Sequence, residues 1–133
     1  MKTFLDSGVL LAAWRKMELS GAAMKILDDD GREFYTSQLV KLELFPKAQF
    51  ERNHNELKFY ETHCARTKAS EALSIELGIE AEALAARYGL AGPDALQIAA
   101  AIRLGVEEFY TSEKPGKPMF RVKELKVISL HSL

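Results

Sequence analysis

Cysteine is nearly absent from this chain of 133 residues, and no long apolar run interrupts it. The single thiol, Cys64, cannot form an internal disulfide, and the histidines at 54, 63 and 131 lack the spacing of zinc ligands. We expect His54, His63 and His131 to lie at the surface or at the boundary of the core. Residues 1–14 contain neither a long apolar segment nor a cleavage site, and all apolar runs are far shorter than a membrane span. These absences exclude a disulfide-stapled module and predict a cytoplasmic protein without a membrane segment.

An excess of charge of one sign is also missing, since 18 basic residues face 19 acidic ones and the formal net charge is -1. This balance excludes a globally basic nucleic-acid binder, so any contact with a polyanion must come from a local patch. The segment KPGKPMFRVKELK, residues 114–126, is one such patch, and a solvated loop is the alternative interpretation of it. Its basic residues are Lys114, Lys117, Arg121, Lys123 and Lys126. Arg15, on the first predicted helix, is a second candidate for such a contact.

The length fits a single domain, residues 1–133, that can bury a core of its own. Short β-rich runs alternate with longer helical stretches, and this alternation predicts an α/β fold with a mostly parallel sheet of about four to five strands covered by helices. The predicted strands are Lys2–Leu5, Glu33–Thr36, Glu107–Tyr110 and Lys126–Ser129. The predicted helices occupy residues 8–17, 20–28, 37–48, 49–63 and 67–88, together with the segment 91–105. We expect Pro46 to end or kink its helix and Gly78 to break the helix that contains it.

Two acidic residues lie on helix faces that are otherwise apolar. Asp94 begins the helix of AGPDALQIAAAIRLG and shares a face with Ile98, while Glu43 lies at the midpoint of the apolar arc in TSQLVKLEL. A carboxylate in such a place is costly unless it is paired, hydrogen-bonded or bound to a metal. Interaction with the helix dipole for Asp94 and a salt bridge for Glu43 are the structural alternatives.

Two further acids directly follow predicted strands. Asp6 follows the first strand, and Glu113 closes the Thr-Ser-Glu triplet after the third. Ligands of open parallel sheets bind at the carboxyl ends of the strands. If the first and third strands are neighbours, Asp6 and Glu113 meet at one edge of the sheet. Asp94 and Glu43 can then project into the same cleft from their helices. Four oxygen ligands without His or Cys suit Mg²⁺ or Mn²⁺, and a divalent cation offsets the repulsion between them. Capping of the next helix is the alternative role for Asp6.

These segments resemble the PIN domain, especially the single-domain VapC-type toxins. The resemblance covers nearly the whole chain and rests on FLDSGVLL, TSQLVKLEL, YGLAGPDALQIAAAIRLGVEEFYTSE and LKVISL. It implies a three-layer α/β/α fold and a metal-dependent ribonuclease site. The chain departs from the family pattern at Glu113, where the family commonly has Asp, and at Gly8, where it usually has Asn.

The resemblance also implies a role for each candidate residue. Asp6, Glu43, Asp94 and Glu113 would be the catalytic acids that hold Mg²⁺ or Mn²⁺, and Ser7 and Thr111 would orient their carboxylates. Single-stranded or structured RNA would be the substrate, an antitoxin protein the inhibitor, and a homodimer the assembly, with apolar residues of helix 49–63 at its interface. The basic residues that would hold phosphates beside the site are Lys114, Lys117, Arg121, Lys123 and Arg15.

Two other hypotheses fit the same residues. The first is a catalytically weak PIN-like domain that binds RNA or a protein partner without cleaving. The second is an unrelated α/β module in which the acids are only helix caps and salt bridges.

Overall fold

The computed structural model describes all 133 residues and contains one five-stranded sheet with helices packed against it. The strands are β1 (Lys2–Leu5), β2 (Glu33–Ser37), β3 (Ala69–Glu71), β4 (Glu108–Thr111) and β5 (Lys126–Ser129). Their order is β3-β2-β1-β4-β5, and every neighbouring pair is parallel. The predicted three-layer α/β/α fold is therefore confirmed. Strands β1 and β4 are neighbours, which fulfils the condition under which Asp6 and Glu113 meet at one edge of the sheet.

Six α-helices connect the strands. They are α1 (Ser7–Arg15), α2 (Ser20–Leu27), α3 (Gln38–Phe50), α4 (His54–Arg66), α5 (Ile75–Tyr88) and α6 (Gly92–Arg103), with short 3₁₀ helices at Pro118–Arg121 and Leu130–Ser132. The side chains that precede α1, α3, α4 and α5 each accept a hydrogen bond from a backbone N–H of the first turn, which satisfies a donor that has no partner inside the helix. Each helix is too short or too polar to cross a bilayer.

The core lies on both sides of the central strands β1 and β4. Phe4 and Phe109 stack across this pair with ring centroids 5.2 Å apart, and both side chains are fully buried. On α6 the buried residues are mostly alanines, which let this helix pack closely against its neighbours. This packing fixes the start of α6 close to the carboxyl ends of β1 and β4.

The prediction of a helix over residues 67–88, broken near Gly78, is wrong in two respects. The chain first forms the edge strand β3, and α5 then runs through Gly78 without a break. Strand β3 has three residues, none of them fully buried, so it lacks the apolar alternation by which strands are recognised. Gly78 has open space around it, and the Ser74 cap together with the buried face of α5 outweighs its low helix propensity.

Of the two outcomes expected at Pro46, an end of the helix is wrong, because α3 continues through this residue to Phe50. The N–H that proline lacks would bond to the carbonyl of Leu42, and the side chain of Leu42 is 58% exposed. Water can therefore satisfy that carbonyl on the solvent side of the helix. The chain breaks later, at Arg52, whose φ of 53° is left-handed, and α4 begins after the Asn53 cap.

The prediction that His63 lies at the surface or at the boundary of the core is wrong, because the structure buries it, whereas His54 and His131 are exposed as predicted. The imidazole packs edge-on against Phe34 at 5.4 Å between ring centroids, and neither ring nitrogen has a hydrogen-bond partner. Burial, assisted by the positive charge of Arg66, lowers the pKa of His63 to about 4. Its place on the inner face of α4 is set by packing against β2, which the spacing of histidines does not reveal.

Candidate active site

The carboxyl ends of β1 and β4 form the floor of an acidic cleft. Leu5 pairs with Tyr110, and the backbone N–H of Asp6 donates to the Tyr110 carbonyl at 3.1 Å. The backbone hydrogen bonds between β1 and β4 therefore extend to Asp6. A cavity of about 180 Å³ opens here. It is lined by the four predicted acids, Asp6, Glu43, Asp94 and Glu113, together with Ser7, Gln97 and Ser112 among others. The structure thus brings together all four carboxylates that the sequence singled out.

Asp6 both caps a helix and faces this cleft. One carboxylate oxygen accepts from the Val9 N–H at 3.1 Å at the start of α1. Burial is the largest cause that raises the pKa of Asp6, and the negative charges of Asp94 and Glu113 act in the same direction, while hydrogen bonding to Thr111 and Val9 lowers it; the net result is a pKa of about 7. Capping alone therefore does not account for Asp6, because the capping site also confines its charge among other acids.

Asp94 lies in the first turn of α6 and points to the same cleft. Partial burial raises its pKa, as do the negative charges of Glu113 and Glu43, while the positive charge of Lys117 lowers it. None of the five ion pairs of the protein includes Asp94, Asp6, Glu43 or Glu113. The hypothesis that these acids serve only as salt-bridge partners therefore lacks the cations that it requires.

Glu43 reaches the cleft, but for a reason other than the predicted one. The buried residues of α3 are Val40, Leu44 and Ala48, whereas Glu43 and its neighbour Leu42 are exposed. The expectation of a carboxylate at the centre of a buried face is wrong because it counted Leu42 as part of that face. One Glu43 oxygen accepts hydrogen bonds from the Ser7 hydroxyl and from the Gln97 amide, each at 3.0 Å.

Glu113 and Gly8 are the two departures from the family pattern, and both lie at the cleft. The Glu113 backbone is fixed at both ends, since its N–H donates to the Thr111 hydroxyl at 3.1 Å and its carbonyl accepts from the Ser129 hydroxyl at 2.6 Å. A Cβ on Gly8 would lie 2.1 Å from the hydroxyl oxygen of Ser112. Ser112 thus occupies the space into which a side chain at position 8 would project.

Ser7 and Thr111 contact the acids as expected, and sequence reasoning missed a third polar neighbour. Ser7 donates to Glu43, and the buried Thr111 hydroxyl is close enough to Asp6 to lower the pKa of that carboxyl. The missed residue is Gln97, which is 5% exposed and lies three residues after Asp94 on α6. The signal was available, because residues three apart share a helix face and a lone amide in an apolar helix needs a partner.

The predicted basic residues do not form one surface. Lys117 is close enough to Asp94 to affect its pKa, and Lys114 follows Glu113 directly. Arg121 instead donates to the Tyr88 carbonyl at 3.1 Å, at the end of α5. Lys123 is exposed, and its backbone N–H donates to the Tyr88 hydroxyl.

Arg15 lies on another side of the acidic cleft. It lines a groove of about 450 Å³ between α1, α3 and α4, which Lys47 and Glu43 also line. The groove contains two more carboxylates, Glu51 and Glu56, so it is not a basic track. The structure therefore brings Lys114 and Lys117 to the acids more directly than it brings Arg15, Arg121 or Lys123.

The cleft fits a divalent cation by the chemistry of its donors. Its polar lining consists of carboxylates, hydroxyls and one amide, which are the oxygen donors that Mg²⁺ and Mn²⁺ prefer. As the side chains stand, no three Asp, Glu, His or Cys residues converge closely enough to form a ready-made metal site. A cation bound here would draw on carboxylates that have no protein cation as partner.

Comparison with known proteins agrees with this architecture. The fold is similar to that of VapBC2 from Rickettsia felis, solved bound to a DNA fragment from its promoter, with a TM-score of 0.70, 14% identity and coverage of 97% of this chain and 98% of that chain. It is similar to VapBC-1 from nontypeable Haemophilus influenzae, with a TM-score of 0.70, 14% identity and coverage of 98% and 99%. It is also similar to VapC20 from Mycobacterium tuberculosis, a sarcin-ricin loop cleaving toxin, with a TM-score of 0.68, 16% identity and coverage of 93% and 98%.

These structural similarities show the fold, and the family follows from the sequence. No curated protein matches the chain. The family model described as PIN domain matches residues 3–114, a range that contains all four acids of the cleft. The chain belongs to the PIN domain family.

Proposed function

We propose that the protein is an endoribonuclease that depends on Mg²⁺ or Mn²⁺ and cleaves single-stranded or structured RNA. The observation that carries the proposal is the convergence of four carboxylates, none of them ion-paired, on one cleft at the carboxyl ends of β1 and β4. Such a set of acids destabilises the protein unless a cation offsets its charge. Membership of the PIN domain family supports the same conclusion.

Each acid has a distinct place in this proposal. Asp6 and Asp94 would be the direct metal ligands, since they are half-buried in the cleft, whereas Glu43 and Glu113 are exposed. Glu43 is a ligand or orients the attacking water, and Glu113 contributes from the loop after β4. Bound divalent ions activate water and stabilise the charge of the phosphate during cleavage. Ser7 and Thr111 hold the carboxylates of Glu43 and Asp6 in place.

The protein supplies phosphate contacts on one side of the cleft. Lys114 and Lys117 are exposed next to Glu113 and Asp94, so they can hold phosphates that flank the cleaved bond. Arg15 lines a different groove, and Arg121 and Lys123 contact Tyr88 at the end of α5, so this contact does not include them. No helix or strand projects as a groove-reading element, which favours single-stranded or looped RNA over a duplex.

We propose further that the protein is the toxin of a toxin–antitoxin pair and acts in the cytoplasm. The similar structures VapBC2 and VapBC-1 and the toxin VapC20 support this role, as does the near-complete coverage of both chains in each comparison. An antitoxin that covers the acidic cleft would be the partner. Homodimerisation remains a prediction, to be tested by light scattering.

The proposal is tested by incubating the purified protein with total cellular RNA in Mg²⁺, in Mn²⁺ and in EDTA. Asp94→Asn removes one cleft charge, and Asp30→Asn is the matched control because Asp30 lies exposed in the turn between α2 and β2. We expect cleavage by the wild type and by Asp30→Asn in the presence of metal, and none by Asp94→Asn or in EDTA. Absence of cleavage by folded wild type under every condition would contradict the proposal.

Two observations favour a second candidate, a PIN domain that binds RNA without cleaving it. No three of the acids converge tightly as they stand, and Glu113 is exposed at the rim. Fluorescence anisotropy with a labelled single-stranded RNA distinguishes the two candidates. Binding by a wild type that leaves the RNA intact in Mn²⁺ would support the second candidate, and metal-dependent cleavage lost in Asp94→Asn would exclude it.

A further inference from the structure

Gln97 is a buried amide that links the two helices carrying acids of the cleft. Its oxygen accepts from the Ser37 hydroxyl at 2.8 Å, and its nitrogen donates to a Glu43 oxygen at 3.0 Å. We propose that Gln97 is a positioning residue, which together with Ser37 fixes one oxygen of Glu43 against the protein and leaves the other oxygen for the cleft. The hydrogen bonds of Gln97 are seen in the structure, and their expected effect on metal binding rests on the proposed function.

The direction of the hydrogen bonds is determined at the Ser37 end. Ser37 caps α3, and its hydroxyl oxygen accepts from the Val40 N–H at 3.2 Å. A serine hydroxyl has a single proton, and with the oxygen already accepting from the helix, that proton is free to be donated to Gln97. Both Ser37 and Gln97 are at least 95% buried, so water does not offer an alternative partner. The amide oxygen of Gln97 therefore faces Ser37.

The Glu43 end requires the same orientation. An ionised carboxylate only accepts hydrogen bonds, so the group of Gln97 that faces it must be the NH₂ group. A flipped amide would place its oxygen against the Glu43 oxygen, and two acceptors would then face each other without a proton. Both ends therefore assign the same direction to the three hydrogen bonds. The Val40 N–H donates to Ser37, the Ser37 hydroxyl donates to Gln97, and the Gln97 amide donates to Glu43.

The same Glu43 oxygen also accepts from the Ser7 hydroxyl at 3.0 Å. Two donors from α1 and α6 therefore hold this atom, and the second oxygen has no hydrogen bond to the protein. The free oxygen is the one available to a metal ion or an attacking water. Because Gln97 lies one turn after Asp94, the link also sets the position of Glu43 relative to Asp94.

The first test observes the link in the metal-free protein. The side-chain NH₂ signals of Gln97 are followed by NMR and assigned by their loss in Gln97→Met. We expect these signals to shift in Glu43→Gln and in Ser37→Ala, because each change alters one partner of the amide. Gln38→Met is the matched control, since it also removes one glutamine hydrogen bond, to the Leu73 N–H, without contacting Glu43. Signals unchanged by Glu43→Gln would overturn the inference.

The second test measures the affinity for Mn²⁺ without RNA. We expect Gln97→Met to weaken Mn²⁺ binding about tenfold or more, as loss of a ligand's hydrogen-bond partner commonly does, and Gln38→Met to bind like the wild type. Gln97→Asn keeps the amide but is too short to reach both partners, so it serves if the Met variant fails to fold. Wild-type affinity in both Gln97 variants would overturn the inference. A wild type that binds no Mn²⁺ would instead contradict the proposed function, and the NMR shifts then decide the inference alone.

Discussion

Replacing the buried His63 with leucine should change how the stability of the protein depends on pH. The imidazole is 3% exposed, lies edge-on to Phe34 and offers two ring nitrogens without partners. A proton on this ring would be both desolvated and close to the positive charge of Arg66, which is why the pKa falls to about 4. Leucine has a similar volume and cannot take up a proton, so the variant isolates the cost of the charge.

The sign and size of the effect follow from the lowered pKa. Above pH 7 His63 is neutral in both the folded and the unfolded chain, and its ionisation contributes nothing to stability. As the pH falls below 6.5, His63 binds a proton in the unfolded chain, whereas in the folded protein it stays neutral until about pH 4. The free energy of unfolding therefore decreases over this range. The full interval corresponds to about 3 kcal/mol. The stability of His63→Leu relative to the wild type should therefore increase by roughly 2–3 kcal/mol between pH 7.5 and pH 4.5.

Urea denaturation, followed by the fluorescence of Trp14, the only tryptophan, measures this difference at the two pH values. Carboxylates that titrate over the same range act on the variant and the wild type alike, so they cancel in the comparison. His54→Leu is the matched control, because His54 is exposed at the start of α4. A stability difference for His63→Leu that stays constant with pH, or one that His54→Leu reproduces, would refute the reasoning.

Three further substitutions have expected effects on the free energy of unfolding, measured by urea denaturation of the metal-free protein. Thr36→Val should stabilise by about 1 kcal/mol, because the buried Thr36 hydroxyl has no partner, and a loss of stability would contradict this. Asp6→Asn should stabilise at pH 8 by roughly 1–3 kcal/mol, since asparagine still caps α1 and removes a buried charge from the acid cluster; a destabilised variant would show that Asp6 serves the fold alone. Gly8→Ala should destabilise by about 1–2 kcal/mol, because the new methyl group collides with the Ser112 side chain. Adding Ser112→Ala should recover part of that loss, and additive effects of the two substitutions would exclude the collision.

The sequence predicts the fold wherever an element has a strong local pattern. The strands β1, β2, β4 and β5 have apolar runs bounded by polar residues. Helix α6 has Pro93 in its first turn and ends before Gly105, whose φ of 73° is left-handed. Strand β3 could not be found in this way, because its three residues are stabilised by pairing with β2 rather than by burial. Pro46 shows a related limit, since a helix tolerates it where solvent can replace the missing hydrogen bond.

The acids that follow strands could be placed in the site from the sequence more reliably than the acid that was expected on a buried helix face. Asp6 and Glu113 follow adjacent parallel strands, and the topology of the sheet alone brings them together. Glu43 reaches the cleft through contacts with α1 and α6, which depend on how three helices pack and are not encoded in the periodicity of α3. The spacing from Asp94 and the apolar surroundings of Gln97 were enough to mark it as a candidate, but its partners could not be named, because they lie 54 and 60 residues away in the chain.

We propose that the four acids form a divalent metal site rather than a set of helix caps. The most direct measurement is a titration of the metal-free protein with Mn²⁺, comparing the wild type with Asp94→Asn and with the exposed control Asp30→Asn. We expect saturable binding by the wild type and by Asp30→Asn, and binding at least about tenfold weaker in Asp94→Asn. Equal binding by Asp94→Asn and the wild type would show that the cleft does not hold the ion.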